Sequence, residues 1–281
     1  MPSRRPPPSL VAIALLPLLL VAETRPAQAF SDPDQLTYDL RVDLPVTLGA
    51  GAIWLGSALM NDRLAPESCR WCASNPIDDA VRDALAWNAS NTPNAMSNYV
   101  AYVGLPLLEL GLLALAPAHD ERPGDFGGNV LVVGESVAIA GVLTQLVKFT
   151  VARERPFVHA LPPDQKPLTD NPHDNNLSFY SGHTSFAFAL ASSAGTVATL
   201  RGYRLAPAFW AVGGFLAVGT AYLRIAADRH YFTDVLAGAA MGTAVGVGVP
   251  YLFHRQSDEH RLTLVPLTTP TFTGLALAGA F

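Results

Sequence analysis

Charge is scarce in these 281 residues: 15% are Asp, Glu, Lys or Arg, and 18 basic side chains face 23 acidic ones, for a net charge of -5. No long basic run is present, so a nucleic-acid partner has no electrostatic footprint to rest on. Cysteine is rarer still. The two residues, Cys69 and Cys72, have no second pair or nearby histidine cluster to complete a tetrahedral zinc site. Internal repeats and low-complexity tracts are absent apart from a Pro-rich start. What abounds is apolar. Half of the residues are hydrophobic (50%), mean hydropathy is +0.26, and an Ala/Gly/Leu/Val bias suits closely packed helices. These properties predict a single apolar helical body.

The first residues read as a targeting segment. Arg4 and Arg5 precede an apolar run over 10–22 that is short for a membrane span, and Ala27-Gln28-Ala29 offers small residues at the first and third positions of a cleavage site. A signal peptide over 1–29 is expected, with an uncleaved anchor as the alternative. Phe30 then emerges in an oxidising compartment, where the Cys69-Arg-Trp-Cys72 stretch is expected to form a local structural disulfide, free thiols being the other reading.

Six apolar stretches follow, over 44–60, 99–118, 130–151, 185–200, 207–223 and 235–253. They predict an all-α, six-helix bundle embedded in a membrane and spanning 30–255, although several stretches fall short of the about 20 residues that a crossing needs. Near-alternating apolar residues in 256–281 predict a short extended tail, a hairpin or loose chain. Two polar connections, 61–98 and 153–182, are too long to be idle linkers, so function is expected there.

Reactive side chains gather in three blocks. The first, Lys148-Phe-Thr-Val-Ala-Arg-Glu-Arg155-Pro156, closes the third helix; two turns separate Lys148 from Arg155, so both project from one face if the helix continues to Pro156. Two cations at the mouth of an apolar bundle call for an anion, and a phosphate fits, unless both snorkel to a membrane surface. The second block, Ser178-Phe-Tyr-Ser181-Gly182-His183-Thr184-Ser185, opens a helix whose unpaired N–H groups form an anion cradle, with His183 at its rim to give or take a proton. A plain helix cap is the alternative. In the third, Leu223-Arg224-Ile-Ala-Ala-Asp228-Arg229-His230-Tyr-Phe-Thr-Asp234, Asp234 lies one turn beyond His230 and is expected to accept its imidazole N–H, while Arg224 supplies a planar fork for phosphoryl oxygens. Alone, this could equally be a buried packing pair. His159, Asp170, His173 and Asp174 lie beside these blocks, as entrance residues or solvated loop.

Together the blocks resemble the type-2 phosphatidic acid phosphatase and vanadium haloperoxidase superfamily, with its Lys-x6-Arg-Pro, Pro-Ser-Gly-His and Ser-Arg-x5-His-x3-Asp motifs. Tyr180 stands where Pro is usual and Leu223 where Ser is usual. The resemblance implies a phosphatase in which His230 is the nucleophile that becomes phosphohistidine, Asp234 orients it, and His183 is the general acid. Lys148, Arg155 and Arg224, with the backbone N–H groups of Ser181 and Gly182, are implied to bind the phosphoryl oxygens. It implies no metal and no cofactor, vanadate entering only if the chain is a haloperoxidase. A phosphorylated lipid at the membrane is the first expected substrate; a small phosphate ester cleaved by a soluble exported enzyme is the second.

Orientation signals conflict. If Phe30 is outside and 44–60 spans, the catalytic loops fall inside; Arg201 and Arg204, in a loop that reads as cytoplasmic, put them outside, on the periplasmic face. An interfacial or re-entrant first segment, or a soluble bundle, would reconcile the two.

Overall fold

The computed structural model describes residues 36–256, 262–269 and 272–279; the expected signal peptide over 1–29 lies outside the described residues. The fold is helical. Six long helical segments are α1 (Asp43–Leu59), α3 (Asn91–His119), α4 (Pro123–Val151), α5 (Gly182–Leu200), α6 (Ala206–Ala226) and α7 (Phe232–Phe253). The shorter α2 (Pro76–Leu85) precedes α3, started by Asn75, whose side chain accepts the N–H groups of Ile77 and Asp78. Strands β1 (Leu262–Thr269) and β2 (Phe272–Gly279) pair antiparallel, from Leu262 opposite Gly279 to Thr269 opposite Phe272.

α5 is the central helix, packed by α7, α4, α6 and α3. Its run of Ala, Ser, Gly and Thr permits this, because small side chains let neighbouring backbones approach. The hydroxyls of Ser192, Thr196 and Thr199 donate back to carbonyls of their own helix, so no polar group is stranded. α7 meets α5 through glycine: a Cβ at Gly242 would strike the Ser185 carbonyl, and one at Gly246 would strike Ser192. Buried Leu105, Leu113, Val132, Val197 and Phe209 complete the core.

The outer faces are apolar too. Leu48, Ile53 and Leu59 on α1, Leu107 on α3, Leu146 on α4, Phe215 on α6 and Leu236 on α7 are exposed. α3, α4, α6 and α7 are long and apolar enough to cross a membrane, with mean hydropathy from 1.4 to 2.0, yet no more than 50% of any such window is buried. Their remaining apolar surface faces outward, as lipid contact requires. α5 is less apolar, because His183 and its Ser, Thr and Gly residues lower its hydropathy, as suits a helix enclosed by others.

α1 packs along α4. Tyr38 packs over Gly128, Thr47 over Gly134 and Trp54 over Gly141, so the chain from Tyr38 through α1 runs lengthwise beside α4. At the far end of the bundle, His254 sits between the segment before α1 and α4: its Nδ1 lies 3.0 Å from the Thr37 carbonyl and its Nε2 3.4 Å from Glu135. With Asp43 these form the group of metal-capable side chains found among the described residues; the three are too far apart in sequence to be noticed there.

Candidate active site

The first block does not stay helical to Pro156. α4 stops at Val151, and Ala152 adopts the left-handed conformation (φ 50°, ψ 52°), because the next side chain has to turn inward. Arg153 is fully buried. Its guanidinium is held between the rings of Trp71 and Tyr231, at 4.0 and 4.1 Å, and pairs with Asp78 at 2.6 Å and Asp234 at 2.5 Å. Pro156 instead opens a short turn, Pro156–His159. Lys148 and Arg155 nevertheless line the same cavity.

Arg155 is a hub. Nη2 donates to Asp174 at 2.6 Å, Nε to the Asp174 carbonyl at 2.9 Å, and Nη1 to the Arg229 carbonyl at 2.8 Å. The same Nη1 lies 3.2 Å from Nε2 of His230. On the other side of that ring, Nδ1 is 2.8 Å from the Ser178 carbonyl. A carbonyl only accepts, so Nδ1 carries the hydrogen and Nε2 keeps its lone pair. Burial, with Arg155, Arg224 and Lys148 nearby, pushes the His230 pKa well below 6.5. Asp174 titrates low: burial alone would raise it, but the charges of Arg155 and Lys148 outweigh that.

Two expectations need correction here. Asp234 does not accept the imidazole N–H; its carboxylate is 3.8 Å from His230 Nδ1 and takes hydrogen bonds from Arg153, the Ser178 hydroxyl at 2.6 Å and the Tyr231 N–H at 3.0 Å. α7 begins at Phe232 rather than at His230, so the two side chains are not stacked on one helical face. Asp234 acts through Ser178, whose carbonyl orients the ring. The Ser181 N–H is likewise engaged, donating to the Asp234 carbonyl at 3.0 Å. The first intrahelical bond of α5 runs from the Ser185 N–H to the Ser181 carbonyl, leaving the N–H groups of Gly182, His183 and Thr184 without a helical acceptor.

A cavity of about 320 Å³ brings Lys148, Arg155, Gly182, His183, Arg224 and His230 together; Ser181 and Asp234 stand behind its wall. Arg224 Nη1 donates to Asn94 at 2.8 Å and Ser97 at 3.0 Å. His183 Nε2 is 2.7 Å from Asn98 Oδ1, and its ring packs on Tyr102 with centroids 4.6 Å apart. Asn94, Ser97 and Asn98, all from the start of α3, went unnoticed in the sequence; their spacing on one helical face was the available signal. Of the four suspected entrance residues Asp174 lines this cavity, as does the neighbouring Arg229; Asp170 lies within electrostatic reach of Arg229, His173 lines a separate cavity and His159 pairs with Glu154. Trp54, Ala58, Tyr102 and Phe186 give the cavity an apolar side. Cys69 and Cys72 are disulfide-bonded with Cα atoms 5.4 Å apart, and the adjoining Arg70 and Trp71 N–H groups point to the Ala152 carbonyl.

Residues 129–258 match the model of the PAP2 superfamily, a stretch that holds all three blocks. α1, α2 and α3 precede the matched residues, so Asn94, Asn98 and the disulfide lie outside the PAP2 match. A similar solved structure is the crystal structure of a transmembrane PAP2 type phosphatidylglycerolphosphate phosphatase from Bacillus subtilis, with 19% identity and a TM-score of 0.44 over 73% of this chain and 94% of that one. No curated protein matches the sequence.

Proposed function

We propose that the protein is a membrane phosphatase that cleaves a phosphate monoester or diphosphate through a phosphohistidine on His230, without metal. The observation that carries this reading is the Nε2 of His230: unprotonated, beside Arg155 at 3.2 Å, and open to a cavity lined by Lys148, Arg155, Arg224 and Arg229. Nε2 attacks phosphorus, the N–P bond forms as the P–O bond to the leaving group breaks, and His183, protonated when the bound dianion offsets the neighbouring cations, gives that oxygen its proton. Water then attacks phosphorus, loses a proton to His183, and the N–P bond breaks to release phosphate. The imidazolium formed at attack keeps its Nδ1–H on the Ser178 carbonyl.

Lys148, Arg155, Arg224 and the first-turn N–H groups of α5 stabilise charge spreading over the equatorial oxygens. The cavity's carboxylate, Asp174, is already paired with Arg155, so the donors gathered here suit an anion and not a divalent cation. The outward apolar faces favour a lipid-borne substrate over a soluble one, and the apolar side of the cavity is where an aliphatic chain would lie. The catalytic end is the exported face in this reading, opposite the loop with Arg201 and Arg204. Acid-labile phosphate on His230 after rapid quench tests it; stable turnover with no labelled histidine would overturn it.

A further inference from the structure

We propose that Asp43, Glu135 and His254 form a structural site for a divalent transition-metal ion, zinc by its ligand chemistry, at the end of the bundle opposite the catalytic cavity. The site goes beyond the phosphatase reading and does not depend on it. Glu135 and Lys148 are separated by about 20 Å of α4 at a rise of about 1.5 Å per residue, and the whole of α7 lies between His230 and His254.

The first observation is a pair of buried groups with no hydrogen-bond partner. Glu135 is 6% exposed on α4, a helix apolar enough to cross a membrane, and His254, 2% exposed, follows α7. Glu135 Oε2 and His254 Nε2 stand 3.4 Å apart, yet neither makes a hydrogen bond. The other ring nitrogen, Nδ1, is 3.0 Å from the Thr37 carbonyl, which only accepts, so Nδ1 carries a hydrogen. In the neutral ring, Nε2 then confronts Oε2 lone pair to lone pair, and a cation between them resolves the conflict. A proton shared by the two would draw them to about 2.7–2.9 Å. Zinc fits the observed spacing, since tetrahedral bonds of about 2.0–2.2 Å set neighbouring ligand atoms about 3.4 Å apart.

Charge and outer contacts are the second observation. Asp43 completes the set, with one ligand atom from each residue within 4.8 Å of the others. Among the described residues no Lys or Arg stands within ion-pair distance of either carboxylate; each pairs with His254. An imidazolium would offset one of the two negative charges, whereas a divalent ion offsets both, where an uncompensated charge is costly. The ligands are also held from behind as metal ligands are. His254 gives its Nδ1–H to a main-chain carbonyl, and the Asp43 carboxylate takes the Asp39 N–H at 2.6 Å. The Asp43 side chain is 12% exposed, which gives the ion a way in and a water the fourth position. The bound ion would tie the segment before α1 to α4 and to the end of α7, where the Thr37 N–H already donates to the His254 carbonyl at 2.7 Å.

The test strips the full-length protein in detergent with EDTA, titrates it with Zn2+, and compares wild type, Glu135→Gln and His254→Gln by retained zinc and by thermal unfolding. Wild type is expected to hold one zinc per chain and to gain about 5–10 °C in Tm when zinc is in about hundredfold excess over its Kd. Both variants are expected to bind zinc more than about tenfold less tightly and to lose the shift. Glu135→Gln keeps the side chain's shape and decides the matter if His254→Gln does not fold. Ca2+, which takes oxygen ligands, is expected to leave Tm unchanged. A wild type that retains no zinc and unfolds at one temperature with or without it would overturn the site, leaving His254 a protonated partner of Glu135. Zinc binding undiminished in Glu135→Gln, the mark of an adventitious ion only, or equal stabilisation by Ca2+ would overturn it as well.

Discussion

Nη1 of Arg155 stands 3.2 Å from Nε2 of His230, while the opposite nitrogen of the same ring is 2.8 Å from the Ser178 carbonyl. The two contacts fix the tautomer from both sides. One also makes the imidazolium costly before substrate arrives, since a guanidinium faces the nitrogen that would be protonated. In the proposed reaction a dianionic phosphoryl group bound to Arg155 would relieve that repulsion as the N–P bond forms, so the charge that suppresses idle protonation would also favour the reaction.

The pH profile follows from this arrangement. His230 must be neutral to attack, and its pKa is pushed well below 6.5 by burial and by Arg155, Arg224 and Lys148. The acid limb of kcat/KM is therefore expected below pH 6.5. Removing a cation stabilises the imidazolium and raises its pKa, so Arg155→Gln should move that limb to higher pH while lowering the plateau. A limb that stays in place would contradict the coupling.

Arg153 is expected to be structural in the strict sense. Replacing it with Met strands Asp78 and Asp234 as buried carboxylates without a cation, at a cost of about 3–5 kcal/mol. Arg153→Lys should rescue little, because one ammonium cannot reach two carboxylates while stacked between Trp71 and Tyr231. Thermal unfolding in detergent measures both.

Asp174 competes with any bound anion for Arg155. Neutralising it as Asp174→Asn removes a carboxylate 2.6 Å from the guanidinium. Inorganic phosphate is expected to inhibit this variant about threefold to tenfold more tightly than wild type. Weaker inhibition would assign Asp174 to positioning Arg155 instead.

Orientation can be read directly. Because α1 runs the length of the bundle beside α4, residues near Ala73 and near Gly202 lie at opposite ends. A reporter inserted after Ala73 is expected to be active on the exported side and one after Gly202 in the cytoplasm; the reverse pattern would put the catalytic cavity inside.

Much of this was legible beforehand for a physical reason. Long apolar runs bounded by polar loops announce helices, and the reactive residues fell in three short blocks at helix ends, where phosphate chemistry needs them. What stayed hidden depends on contacts across the chain. Arg153 drew no attention beside Arg155, and only its pairing with Asp78, from a distant helix, and Asp234 reveals its buried role. The turn at Ala152 has no local signal, since alanine is a helix former with no preference for left-handed backbone. Asp234 had the right spacing to hold His230, but Arg153 and Ser178 claim its oxygens, and a main-chain carbonyl does the orienting. Asn94 and Asn98 lie in the 61–98 connection, where function was expected, but neither stood out because the apolar run of α3 begins after them.

The most direct test of the histidine mechanism is phosphate release by purified protein in EDTA, wild type beside His230→Ala, with rapid-quench detection of phosphohistidine. The account expects activity that survives EDTA, a labelled His230 in wild type, and a loss of several orders of magnitude in the variant. Activity abolished by EDTA, or undiminished in His230→Ala, would contradict it.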